Sequence, residues 1–517
     1  MTPSSITYTN PILPGFYPDP SITRAGDDYY LVCSSFEYFP GVPIFHSQDL
    51  IHWTQIGHVL DRVSQLDARN SKSSGGIFAP TIRYHDGTFY MITTEVHGKG
   101  NFYVTATDPA GPWSDPISIP YGGIDPSLMF DEDGKVYVTT QQGAEYDSHA
   151  IQYEIDITTG KALTEPVVIW TGDGGPWTEG PHLYKINGMY YIMSASGGTA
   201  KEHREIIGRS SSPYGPFEQL PHPILTHRGT DNPIQYLGHA DLIDDRNGDW
   251  WAVFLGVRLV DSKYTVLGRE TFLAPVTWNE EGWPMIDNNE DIVDLEMKVP
   301  RVPGQSPKPA LSGRHDFEEE ELPLALAFLR NPAESSWSLS ERPGFLALWG
   351  QPKGLNEVGQ VAFVGRRQQH TSAEWSTLLE LPSTKSDVEA GLCARLDESA
   401  HYEIALVQKD GQRYIGVHLT ADGITSVAAE IPTTAEQIHL KIQAELTEYS
   451  LLYSLDGQEW NKLATAEAYS LSPQALRGNG FTGVVIGLYA TGRGQVAEVP
   501  AYFDWFDYKC ACGEETE

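Results

Sequence analysis

Four residues suited to acid–base chemistry stand at comparable places in this chain: Asp19, Asp125, Glu179 and His239. Each opens a short apolar stretch, in Asp19-Pro20-Ser21-Ile22, Asp125-Pro126-Ser127-Leu128, Glu179-Gly180-Pro181-His182-Leu183 and His239-Ala240-Asp241-Leu242. An Asp before Pro by itself only initiates a turn. Three carboxylates brought to one place are another matter, because like charges in a cleft repel and lose solvation, so a sequence selected for stability alone avoids them. Their clustering points to catalysis. Cleavage of a glycosidic bond needs one carboxyl that stays protonated, to donate to the leaving oxygen. It also needs an ionised carboxylate to act on the anomeric carbon or on water. A third acid can hold up the pKa of the donor and orient it.

What would bring these residues together is an internal repeat. Five segments share a frame in which a small or acidic residue opens an apolar stretch, a polar turn follows, and an aromatic-rich strand comes next. The first strands begin at Asp19, Ala79, Asp125, Gly180 and His239, and the partner strands carry Tyr30, Tyr90, Tyr137, Tyr191 and Trp251. Asp86-Gly87, Asp133-Gly134, Asn187-Gly188 and Asn247-Gly248 mark hairpin turns. The aromatics recur at steps of 60, 47, 54 and 60 residues, near the blade period of about 40 to 50 with some loop growth. Further aromatic-bearing turns, at Trp53, Trp113 and Phe217, suit sheet-to-sheet packing. The predicted fold is all-β, with a five-bladed β-propeller over residues 1–300.

In a propeller the first-strand openings surround one axis. Asp19, Asp125 and His239 are then predicted to converge, with Glu179 one residue before its register position and Phe78 one before Ala79. Tyr17, Phe36, Tyr38 and Phe78 are candidates for apolar walls against a sugar face. Residues 301–314, rich in Pro, read as a stiff linker. Alternating apolar segments with turns at Asp410-Gly411, Asp422-Gly423 and Asp456-Gly457 predict a β-sandwich, jelly-roll-like, over 315–510, and 511–517 read as a tail.

Composition narrows the partners. A formal charge of −34 repels a phosphate backbone and an anionic membrane surface alike, so neither nucleic acid nor membrane is expected. The opening Met1-Thr2-Pro3-Ser4-Ser5-Ile6 has no basic-then-apolar leader pattern, and no stretch reaches the roughly 18 apolar residues of a membrane span. A soluble, cytoplasmic protein is the expectation, and a homo-oligomer is compatible with it. Cys33, Cys393, Cys510 and Cys512 are too scattered for a disulfide framework or a four-cysteine zinc site.

Four segments resemble glycoside hydrolase family 43, and its β-xylosidases most closely. They are Gly15-Phe16-Tyr17-Pro18-Asp19-Pro20-Ser21, Ser35-Phe36-Glu37-Tyr38-Phe39-Pro40-Gly41-Val42, Gly123-Ile124-Asp125-Pro126-Ser127-Leu128 and Thr178-Glu179-Gly180-Pro181-His182-Leu183-Tyr184-Lys185. The resemblance implies an inverting, exo-acting hydrolase with Asp19 as general base on water, Glu179 as general acid and Asp125 as pKa modulator. It implies that Arg269 hydrogen-bonds the terminal sugar and that Thr199 and Phe36 line the site. It also implies that Phe481, in Gly480-Phe481-Thr482-Gly483, enters the mouth from the second domain. His239 is placed at the channel centre, in some relatives beside a calcium ion. No cofactor is required for the chemistry, and calcium at His239 is the one metal expectation.

One departure is Phe78, where many xylosidases of this group have Trp. The Arg-Asp-Pro element of five-bladed fructosidases is absent, since Ile124 precedes Asp125. The activity expected is β-D-xylosidase on the non-reducing ends of xylo-oligosaccharides or arabinoxylan-derived substrates. An α-L-arabinofuranosidase, or an enzyme with both activities, is the alternative, and a non-catalytic sugar-binding propeller is a third.

Overall fold

The computed structural model describes residues 5–286, 292–476 and 480–510. The tail expected over 511–517, with Cys512, lies outside the described residues. The first domain is a five-bladed propeller whose sheets run outward from an inner strand. The inner strands are Ser21–Ala25, Thr81–His85, Ile124–Phe130, Glu179–Ile186 and Ile234–Asp244. Each pairs antiparallel with the next strand, blades two to five through the predicted turns and blade one through Gly26-Asp27, for example Ile22 opposite Leu31 and Ile82 opposite Met91. Trp53 and Trp113 from the outer turns are buried in this domain's cores, where large apolar area is what holds radial sheets together.

The N-terminal segment is fastened to the last blade, where Leu13 bridges antiparallel to Thr271. Ile6–Thr9 pairs antiparallel with Glu296–Val299. Just beyond, the Asn10 side chain mimics a strand: its Nδ2 donates to the Leu273 carbonyl at 2.9 Å and its Oδ1 accepts from the Leu273 amide at 3.0 Å.

The second domain is a β-sandwich of two eight-stranded sheets. Apolar residues alternate along its strands, so Val388, Ala390, Leu392 and Ala394 face the sandwich core while Cys393 belongs to a second cluster with Phe16 and Phe36 of the propeller. Two details differ from the sequence reading. Gly313–His315 already pairs with Ala501–Cys510, so sheet structure begins inside the segment read as linker. More consequential, Tyr38–Phe39 leaves the propeller and becomes the eighth strand of the sandwich's second sheet, pairing with Phe328 and Leu329. The local sequence around Tyr38 carries no sign of a partner strand nearly 300 residues away.

Candidate active site

Four of the five blade openings share a backbone conformation that repeats with the register, Ala79 of blade two being the exception. Asp19, Asp125 and His239 have φ of 54°, 53° and 56°, and Gly180 has 60°. A left-handed conformation at three non-glycine residues around one axis is strained backbone of the kind that concentrates at functional sites. It also explains the offset of Glu179. In blade four the left-handed position is glycine, which carries no side chain, and the carboxylate comes from the residue before it. Glycine is required there twice over, since a Cβ on Gly180 would lie 2.8 Å from the His239 ring.

These openings line a cavity of about 590 Å³ that contains Asp19, Phe36, Phe78, Asp125, Glu179, Thr199, His239, Arg269 and Phe481, all expected from the sequence. Of the four aromatic wall candidates, Phe36 and Phe78 line it. Tyr17 and Tyr38 do not: Tyr17 packs edge-on against Phe45, and Tyr38 is buried against Phe16 next to its sandwich partner strand. Trp177, Tyr236, Thr265, Gln474 and Thr482 also line the cavity and were missed. Trp177 alone had a signal, an aromatic two residues before Glu179 in a glycine-rich stretch.

Each acid has a distinct environment. Asp19 Oδ1 accepts from Arg269 at 2.8 Å and Oδ2 from the Ser34 hydroxyl at 2.5 Å. Asp125 Oδ2 accepts from the Gly180 amide at 3.1 Å and faces His239 Nε2 at 3.5 Å. Glu179 opens on the cavity, half-buried, and desolvation together with the Asp125 charge pushes its pKa up to about 8. Burial alone would lower the His239 pKa, but Asp125, Asp19 and Glu179 outweigh it and raise it to about 10. The site therefore pushes Glu179 toward its protonated form and His239 toward its charged form. Thr199 Oγ1, Arg269 Nε and His239 Nδ1 are buried without a protein partner. Unpaired polar atoms of this kind in a native pocket call for a ligand or water.

The layer below closes the channel. Two residues along the same strands, Asp241 Oδ2 accepts from Ser21 Oγ at 2.6 Å and from Arg83 at 2.8 Å, and its Oδ1 accepts from Tyr184 at 2.7 Å. Burial works against the Asp241 charge, but Arg83 and its hydrogen bonds hold its carboxyl far below the usual range.

The calcium expectation can be set against the donors present. Around His239 the buried atoms without a partner are its own Nδ1, Glu205 Oε1 and His203 Nε2. Calcium takes six to eight oxygen ligands; one carboxylate oxygen and two imidazole nitrogens do not fit that set. On the sandwich, Glu389, Glu403 and His418 have metal-like spacing. There, however, Tyr489 and Arg493 each donate to Glu389 at 2.6 Å, making a charge-balanced network.

A channel of converging carboxylates with a closed floor and a sandwich domain at its mouth defines a carbohydrate-cleaving propeller enzyme. Residues 8–284 match Glycosyl hydrolases family 43, and residues 314–509 match the Beta xylosidase C-terminal Concanavalin A-like domain. The chain belongs to glycoside hydrolase family 43. It is similar to the non-reducing end alpha-L-arabinofuranosidase BoGH43B of Bacteroides ovatus, at 44% identity over 98% of this chain and 95% of the relative. To the xylosidase/arabinosidase of Butyrivibrio fibrisolvens it is 40% identical, over 96% of this chain and 98% of the relative. The solved xylan beta-1,4-xylosidase from Bacillus halodurans C-125 superposes with a TM-score of 0.92 at 36% identity, covering 97% of this chain and 100% of that one.

Proposed function

We propose that this enzyme is an inverting, exo-acting pentosidase that removes single β-D-xylosyl and α-L-arabinofuranosyl units from non-reducing ends. The observation that carries the reading is the pairing of unlike carboxyls in one closed-floored cavity, Glu179 pushed up to about 8 and Asp19 held by Arg269 and Ser34. Asp19 takes a proton from a water whose oxygen forms the new bond to the anomeric carbon. As the glycosidic bond breaks, Glu179 gives its proton to the leaving oxygen. Asp125 keeps Glu179 protonated, and the charged His239 beside Asp125 steadies that carboxylate. Arg269, fixed on Asp19, has an unpaired Nε for a sugar hydroxyl. The buried Asp241 layer behind the acids supports end-on attack, because a chain cannot thread past it.

The choice of pentose is supported by the relatives. One at 44% identity is named an arabinofuranosidase and one at 40% a xylosidase/arabinosidase, which raises α-L-arabinofuranosides from alternative to equal standing. The test is kcat/KM on an aryl β-D-xyloside and an aryl α-L-arabinofuranoside, with the anomer of fresh product followed by NMR. Turnover of both with inversion is expected. Turnover of neither, or initial release of the retained anomer, would refute the reading.

A further inference from the structure

Three of the rings that wall the cavity, Phe36, Phe78 and Phe481, contact one another with centroids 5.4 to 5.9 Å apart. They come from two propeller loops and one sandwich loop, and packing between phenyl rings is too undirected to fix such an arrangement by itself. Behind them lies a polar chain that none of the chemistry above uses. Glu37, fully buried and adjacent to Phe36, accepts from the Ser74 amide through Oε2 at 3.0 Å. The Ser74 hydroxyl in turn accepts from the Phe481 amide at 2.9 Å. Ser74 has φ of 62°, a conformation that the contacts on both sides of it must hold. Three residues on, Phe36 and Ile77 exchange backbone hydrogen bonds at 2.9 and 3.1 Å, and Phe78 follows.

The far end of the chain is anchored in the sandwich. Arg395, fully buried, faces Glu37 Oε1 at 3.8 Å and donates to Ser73 Oγ at 2.9 Å and to Glu398 at 3.0 Å. Arg330, also fully buried, pairs with Glu398, donates to the Ser71 carbonyl at 2.6 Å and, through its amide, to the Glu37 carbonyl at 3.0 Å. Two arginines and two glutamates thus meet across the domain interface, with Arg330, Arg395 and Glu37 each contacting the segment 71–74. Burying Glu37, Arg330 and Arg395 is costly beside an apolar contact of the same volume, so stability alone gives little reason for it.

We infer that Glu37 and Ser74 are positioning residues that transmit the domain interface to the aromatic wall of the sugar site. This rests on the proposed pentosidase reading, and its test is separable from it. Ser74→Ala removes one hydroxyl from a residue outside the cavity. It is expected to raise KM on the aryl pentosides by about three- to tenfold with kcat nearly unchanged. In a Phe481→Ala background the same change should add nothing, since the two act through one ring. Glu37→Gln, which leaves an acceptor for the Ser74 amide but uncouples Arg395, should give the same KM rise with a larger loss of thermal stability.

Wild-type failure on both pentosides would strike the functional reading. The positioning inference would still be decided by the solved structure of Ser74→Ala, in which the Phe481 ring should move away from Phe36. An unmoved ring, full additivity with Phe481→Ala, or lost stability at unchanged KM would each overturn it.

Discussion

Asp19, Asp125, Glu179 and His239 in the upper ring, and Ser21, His182 and Asp241 in the layer two residues below the left-handed openings at Asp19, Gly180 and His239, are built from the same kinds of groups. The lower layer is complete. Asp241 accepts from two side-chain hydroxyls, from Arg83 through both oxygens and from the Ile22 amide at 3.1 Å, and its pKa falls. The upper ring is left open, with strained backbone at three positions, unpaired polar atoms on Thr199, Arg269 and His239, and a carboxyl on Glu179 whose pKa rises. One pleat apart, the same strands carry a cluster that holds the propeller together and a cluster that spends stability on chemistry.

Breaking the upper ring should cost activity and leave folding intact. Glu179→Ala is expected to lower kcat/KM on an oligosaccharide by about 10²- to 10⁴-fold, the usual worth of a general acid, with an unfolding midpoint close to wild type. Breaking the lower layer should do the reverse. Asp241→Ala strands Arg83 without its counter-charge, and denaturant unfolding should show a loss of about 3 to 5 kcal/mol.

The electrostatics of the upper ring sharpen the contrast. As the proposed acid, Glu179 acts in its protonated form, so kcat/KM should fall as pH rises through about 8. Asp125 raises that pKa, so Asp125→Asn should move the alkaline limb down. His239 lowers it, so His239→Gln should move the limb up. Shifts of about one pH unit are expected for neighbours at this range, and pH–rate profiles of the two variants read their opposite signs. The smallest effect expected is that of exhaustive chelation, which should leave kcat/KM unchanged; loss restored by calcium would place a metal at His239.

Much of the upper ring was legible because it repeats. A shared frame at the head of each first strand brought Asp19, Asp125 and His239 into register, and the Gly180-Pro181 pair exposed the one-residue offset of Glu179. Residues outside the repeat left no such trace. Arg269 stands between two strands of blade five and Phe481 in the other domain, and both were reached through family resemblance rather than spacing. The Tyr38–Phe39 strand, the wall positions of Tyr236 and Gln474 and the Glu37–Ser74 chain were not legible at all. Each depends on contact between segments far apart in sequence, which local alternation and turn residues do not record. The close approach of the domains is itself built on small residues: a Cβ on Gly483 would lie 2.4 Å from the Leu267 carbonyl oxygen.

The role of Glu179 as proton donor is tested most directly by the leaving group. In Glu179→Ala, hydrolysis of an oligosaccharide, whose departing oxygen needs a proton, should collapse. A dinitrophenyl glycoside of the same pentose, whose leaving group departs without one, should lose far less. An equal loss on both substrates would contradict the assignment of Glu179 as the acid.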